Sequence, residues 1–150
     1  TYPRLIIEPG RAIVGQAGVA LYTVGVIKEI PSIRKYVCID GGMSDNIRPA
    51  LYGAKHEALV ANKALEAEKD LVTIAGKLCE SGDILVWDTT LASLSSGDVI
   101  AIPVCGAYSI PMWTNYNALP KPAILMVKEG KARLIRHRET YQDLMRLDAI

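Results

Sequence analysis

Apolar runs that are short, β-branched and repeatedly broken by turn residues limit this chain to a strand-built domain. Val19 to Ile30 is the longest, rich in the valine, isoleucine, tyrosine and threonine that suit a pleated surface. Tyr36-Val37-Cys38-Ile39 is apolar on both faces and stops at Asp40-Gly41-Gly42, the pattern of a buried strand meeting a tight turn. Leu5-Ile6-Ile7, Ala58-Leu59-Val60, Leu71 to Ala75 and Ile84 to Trp87 read as further short strands with turn or polar residues between them. Asp98 to Val104 continues the series, and Pro103 suits an edge, a bulge or a strand end. Ala123 to Val127 and Ala132 to Arg136 flank Glu129-Gly130, the signal of a tight hairpin. Two segments have helical character. Thr140 with Asp143 resembles a capping box, followed by Tyr141, Leu144 and Met145 on one face. Ala61 to Asp70, rich in alanine, glutamate and lysine, fits either a helix or a charged strand end with a solvated loop. The sum predicts a mainly β barrel or sandwich.

A chain of 150 residues is the size of one domain and can bury a core without disulfides or metals. Half of it is apolar and the formal charge is +1, which gives no electrostatic basis for binding nucleic acid or an anionic membrane. No apolar run approaches the roughly 20 residues that span a bilayer. Cys38, Cys79 and Cys105 lack paired zinc-site spacing, and His56 and His137 lie far apart, so no metal site is expected. Both histidines, and Cys38 and Cys105 in their apolar runs, read as structural. Free thiols fit a reducing compartment, hence the cytoplasm. The opening Thr1-Tyr2-Pro3, without an initiator methionine, reads as a piece of a longer polypeptide.

Four segments carry candidate chemistry. Cys79-Glu80-Ser81-Gly82-Asp83 sets a thiol beside a carboxylate on a loop between strands, where a reactive pair can face a cleft. In Glu8-Pro9-Gly10-Arg11 the glycine allows close approach of a ligand to the backbone, and Arg11 adds a planar fork for carboxylate or phosphate. The bland alternative is a strand-end turn with a surface arginine. In Asp40 to Tyr52, a helical turn opened by Pro49 puts Arg48 and Tyr52 four apart on one side, able to hold a carboxylate together. Asp40 and Asp45 read as turn and capping residues. Tyr108, after Gly106-Ala107, is either a core aromatic with a satisfied hydroxyl or a ligand-facing phenol.

In this order and spacing the four segments resemble the C-terminal part of the diaminopimelate decarboxylase family, fold-type III pyridoxal-phosphate enzymes of lysine biosynthesis. The resemblance runs from Glu8 almost to the end of the chain. It implies a Greek-key, β-barrel-like C-terminal domain over residues 12–150. Residues 1–11 would then close the preceding (β/α)8 barrel with its last strand, and the rest of that barrel, with its cofactor-anchoring lysine, would lie outside this chain. It implies pyridoxal 5′-phosphate as cofactor and decarboxylation of meso-2,6-diaminopimelate to L-lysine. Carried over, Glu8, Pro9, Gly10, Arg11 and Tyr108 belong to the cofactor site. Arg11, Arg48, Tyr52, Glu80 and Tyr108 belong to the substrate site, with Glu80 on the distal amine. Cys79 becomes the acid that reprotonates the carbanion, a role a positioned thiol can fill. The same loop is implied to reach into a partner subunit, hence a homodimer. Asn115, Tyr116 and Asn117 extend the family-like segment and receive no catalytic role. The alternatives are a related decarboxylase acting on ornithine, arginine or a polyamine precursor, and a non-catalytic dimerisation module. A cation for a second carboxylate (Arg48) together with an anion for the far ammonium (Glu80) favours diaminopimelate.

Overall fold

The computed structural model describes residues 2–149; Thr1 and Ile150, the outermost residues of the two expected domains, lie outside it. The Val19–Ile30 run becomes β1 (Ala20–Ile30), and the strand changes partner along its length. Ala20 to Thr23 pair antiparallel with β6 (Val99–Ile102), whereas Val24 to Ile30 pair antiparallel with β2 (Arg34–Ile39). The switch falls at an irregularity between Val24 and Ile27, where Gly25 sits. Such a bulge bends a strand, and here it lets one strand serve two halves of a curved sheet.

β2 pairs parallel with β4 (Asp70–Ala75), which pairs antiparallel with β5 (Ile84–Leu91). The two-residue β3 (Leu59–Val60) pairs with the outer side of β6. The sheet order is therefore β3-β6-β1-β2-β4-β5, a barrel-like sheet whose concave side is filled by Val24, Val37, Ile74, Leu85, Ile100 and Ile102, all essentially inaccessible. A separate hairpin joins β7 (Ile124–Lys128) to β8 (Lys131–Arg136). Its turn residues Glu129 and Gly130 have φ of 52° and 72°, as a two-residue turn matched to strand twist requires.

Three short helices decorate the sheet: α1 (Arg11–Val14), α2 (Arg48–Tyr52) and α3 (Tyr141–Met145). Pro49 does open a helical turn, and Gly53 ends it in the left-handed region at φ 61°. The capping box at α3 is realised on both sides: Thr140 accepts from the Asp143 amide, and the Asp143 carboxylate accepts from the Thr140 amide at 2.7 Å. Residues 61–70 follow the loop alternative rather than the helix. Only Ala61–Lys63 make a 3₁₀ turn, and Asp70 already belongs to β4.

Leu5, Ile6 and Ile7 form no strand in this chain and are largely exposed. A strand exists only against a hydrogen-bonding neighbour, and this segment has none here. Cys105 is buried as expected, while Cys38 is only partly covered because it lies on β2 opposite the core-facing Val37 and Ile39.

Candidate active site

The segment 10–18 lies directly on residues 104–107, and glycine makes that possible. The Cys105 amide donates to the Gly18 carbonyl at 2.8 Å and the Gly106 amide to the Gly15 carbonyl at 2.9 Å. A β-carbon on Gly106 would collide with the Val14 carbonyl, and one on Gly18 would sit 2.5 Å from the Gly106 backbone. A β-carbon on Gly10 would occupy the place of the Tyr108 hydroxyl. Tyr108 itself is held at φ 59°, a left-handed conformation uncommon for a bulky residue. Such backbone positions persist only when neighbours fix them, and they concentrate at functional sites.

This packing gathers four of the candidate residues. The Arg11 guanidinium reaches towards the carbonyls of Val104 and Ala107 and stands 5.7 Å from the Tyr108 ring centre. The Arg48 guanidinium stands 5.8 Å from the same ring and 5.1 Å from the ring of Tyr52. The helical turn opened by Pro49 thus puts Arg48 and Tyr52 on one side, and Tyr108 is shared by both arginines. Among the described residues neither arginine has a carboxylate partner. The Nε of Arg48 is buried with no hydrogen-bond partner among the described residues, an unmet donor. Two guanidinium groups without a counter-ion, bordered by two phenols, suit a carboxylate or phosphate. Glu8 and Pro9 are exposed and take no part in these contacts.

Cys79 and Glu80 lie on the loop between β4 and β5, and both are exposed. No hydrogen bond or ion pair among the described residues links them to Arg11, Arg48, Tyr52 or Tyr108. The Glu80 carboxylate accepts from the Gly82 amide and the Ser81 hydroxyl, each at 3.3 Å, and from the Tyr116 hydroxyl at 3.2 Å. These donors, the Gly82 amide foremost, hold its pKa below the ordinary carboxylate value. It is an ionised group ready for a cation.

Three contributors were not singled out from the sequence. Asp83 reads as part of a turn, yet it is buried and accepts from the Met43 amide at 2.6 Å and the Leu78 amide at 2.8 Å. It thereby ties the 41–45 turn to the loop bearing Cys79 and Glu80. Burial pushes its carboxyl up, and the two amides work against that shift. His56 lies beside the arginine pair: burial lowers its pKa first, and the charges of Arg11 and Arg48 lower it further. Its Nε2 is buried and unpartnered. Tyr116 donates to Glu80, across 36 residues of sequence. Only Gly76 and Gly42, which leave room for the Asp83 carboxylate, could have hinted at the first of these. Asp45 braces its turn as expected, accepting from the Gly42 amide, whereas Asp40 accepts from the distant Thr23 amide on β1 rather than within its turn.

The class defined here is a curved sheet domain that carries, among its described residues, an arginine couple without a carboxylate partner. The chain belongs to the family described as the pyridoxal-dependent decarboxylase C-terminal sheet domain, which matches residues 12–106. It is 54% identical to the diaminopimelate decarboxylase of Bacillus subtilis over 97% of this chain and 33% of that protein. It is 56% identical to that of Staphylococcus aureus over 95% of this chain and 34% of that protein. Among solved structures, diaminopimelate decarboxylase from M. jannaschii in complex with L-lysine superposes with a TM-score of 0.90 at 45% identity, covering 99% of this chain and 34% of that one. A Vibrio vulnificus lysine/ornithine decarboxylase shares the fold at 22% identity and a TM-score of 0.64. The chain thus spans about a third of the length of the relatives it matches.

Proposed function

We propose that this chain is the C-terminal domain of a cytoplasmic, homodimeric decarboxylase that converts meso-2,6-diaminopimelate to L-lysine with pyridoxal 5′-phosphate. In this reading residues 1–11 end the cofactor-binding barrel and residues 12–150 form the sheet domain. The observation that carries it is the convergence of Arg11 and Arg48 on Tyr108, with the Nε of Arg48 buried and unmet. These residues fit an anionic ligand, whether the cofactor's phosphate or a substrate carboxylate. The close approach at Gly10 and the Arg11 guanidinium set against the Tyr108 ring support assigning these three to the cofactor site, and Glu8 and Pro9 join them only through the family resemblance.

When bound, pyridoxal phosphate takes up the electron pair left as carbon dioxide departs. The chain's own residues do the rest. Arg48, with Tyr52, holds the distal carboxylate, and Arg11 and Tyr108 border both ligands. Glu80 accepts the distal ammonium, its charge maintained by the Gly82 amide and its side-chain donors. Cys79 holds a proton on Sγ and delivers it to the carbon that has lost its carboxylate. In this reading the loop bearing Cys79 and Glu80 serves the partner subunit's site, as the family resemblance implies.

The test compares kcat/KM of Arg48→Met and Glu80→Gln in the full-length protein, cofactor saturating, on diaminopimelate and on lysine-like amino acids that lack the distal carboxylate. Losing one partner of a desolvated charge pair costs about 2–5 kcal/mol. Arg48→Met is expected to impair diaminopimelate by that amount and the lysine-like substrates much less, while Glu80→Gln impairs both. Equal loss on both substrates in Arg48→Met makes Arg48 structural and removes the case for diaminopimelate.

A further inference from the structure

Glu80 is held in an unusual way for an exposed carboxylate. All three of its donors are neutral, they occupy both oxygens, and among the described residues no lysine or arginine pairs with it. A carboxylate has about four acceptor sites, so its geometry is fixed while its charge and one site remain for a ligand. Two of the donors, Ser81 and Gly82, belong to the same turn and follow Glu80 wherever the loop goes. The third, Tyr116, comes from a different loop and is the one that sets where the carboxylate points.

That second loop is itself braced. Asn117 and Ala118 both have φ of 55°, a left-handed pair that needs outside support. Asn115 Nδ2 donates to the Leu119 carbonyl at 2.9 Å and to Glu139 Oε2 at 2.7 Å. Lys121 Nζ donates to Asn115 Oδ1 at 2.8 Å and to Glu139 Oε1 at 3.2 Å, and the Lys121 amide donates to Glu139 Oε2 at 2.9 Å. Every polar atom of the Asn115 side chain is therefore spent on holding the turn that carries Tyr116. The Tyr116 ring is 44% exposed, so burial does not explain its placement. The consequence of the brace is the 3.2 Å hydrogen bond from its hydroxyl to Glu80 Oε2.

We propose that Tyr116 is a positioning residue for Glu80, fixing the carboxylate so that it selects substrates bearing a distal ammonium. The inference rests on the reading of Glu80 as the ligand of that ammonium. Both residues belong to one chain, so their pairing does not depend on which subunit's site the loop serves. The hydroxyl also helps hold Glu80 below its ordinary carboxylate pKa, and the carboxylate in turn raises that of the phenol.

The experiment is a double-mutant cycle in the full-length enzyme with pyridoxal phosphate saturating, using Tyr116→Phe, Glu80→Gln and the pair. Phenylalanine keeps the ring and removes only the donor. Tyr116→Phe is expected to raise KM for diaminopimelate roughly tenfold, as for loss of a hydrogen bond to a charged group, with kcat within about twofold. The pair is expected to be no worse than Glu80→Gln alone, because the hydroxyl acts through that carboxylate. The acidic limb of kcat/KM against pH is expected to move to higher pH in Tyr116→Phe, which a purely structural role would not produce. A normal KM in Tyr116→Phe alongside an impaired Glu80→Gln overturns the inference, and so do fully additive losses. An unimpaired Glu80→Gln overturns instead the ammonium-ligand reading beneath it.

Discussion

At the residue scale, His56 beside the arginine couple is held neutral. Burial is the first reason, the charges of Arg11 and Arg48 add to it, and the Pro103 carbonyl works the other way. The folded pKa of His56 is therefore below the free value of about 6.5. The sign of the linkage follows: below that value the unfolded chain binds more protons than the folded one. Stability is thus fully present above about pH 6.5 and falls as the pH drops towards the folded pKa. A proton-NMR titration of the His56 ring should give a midpoint below 6.5, and Arg48→Met should move it upwards. A midpoint that ignores Arg48 would place the imidazole outside the cluster's field.

At the element scale, the site depends on loops that are tied to each other more than to the strands that carry them. Asp83 joins the 41–45 turn to the β4–β5 loop through the Met43 and Leu78 amides. Gly42 and Gly76 leave the space its carboxylate fills, since a β-carbon on Gly42 would sit 2.7 Å from it. Asp83→Ala would leave two sheltered amides without acceptors, at about 1–3 kcal/mol each. The expected result is a lower unfolding temperature and faster hydrogen exchange at Met43 and Leu78, with β1–β6 pairing unaffected. Asp83→Asn keeps one acceptor oxygen and should lose less. Equal stability of wild type and Asp83→Ala would sink the idea that this carboxylate braces the site.

At the scale of the whole molecule, the proposed anion contacts come from Arg11 and Arg48, and no lysine is among them. Leu5, Ile6 and Ile7 stay largely exposed, as do Leu125, Val127, Leu134 and Ile135 of the hairpin. Mixed with pyridoxal phosphate and reduced by borohydride, this chain alone is expected to give no stoichiometric adduct at any single lysine by mass spectrometry. One lysine labelled to completion would mean that the chain carries its own anchoring group.

Local chemistry wrote most of the elements into the sequence. Short apolar and β-branched runs gave β1 to β8, because their preference for a pleated surface needs no distant partner to be read. The Glu129-Gly130 turn, the Thr140–Asp143 box and the helical turn at Pro49 were equally legible, each being a contact within a few residues. The motif residues could be named as candidates, and the resemblance assigned them roles. Tertiary structure alone decided the rest. Leu5 to Ile7 lacks a strand because pairing is non-local, and residues 61–70 forgo their helical propensity because the chain must enter β4 at Asp70. Which candidates meet was also beyond local reading. Arg11 and Arg48 share Tyr108 only because glycines at 10, 18 and 106 let two distant segments close on each other. His56 lies in no motif, and Asp83 and Tyr116 lie in motif segments without a role assigned to them; what each does is a matter of the neighbour that folding brings to it.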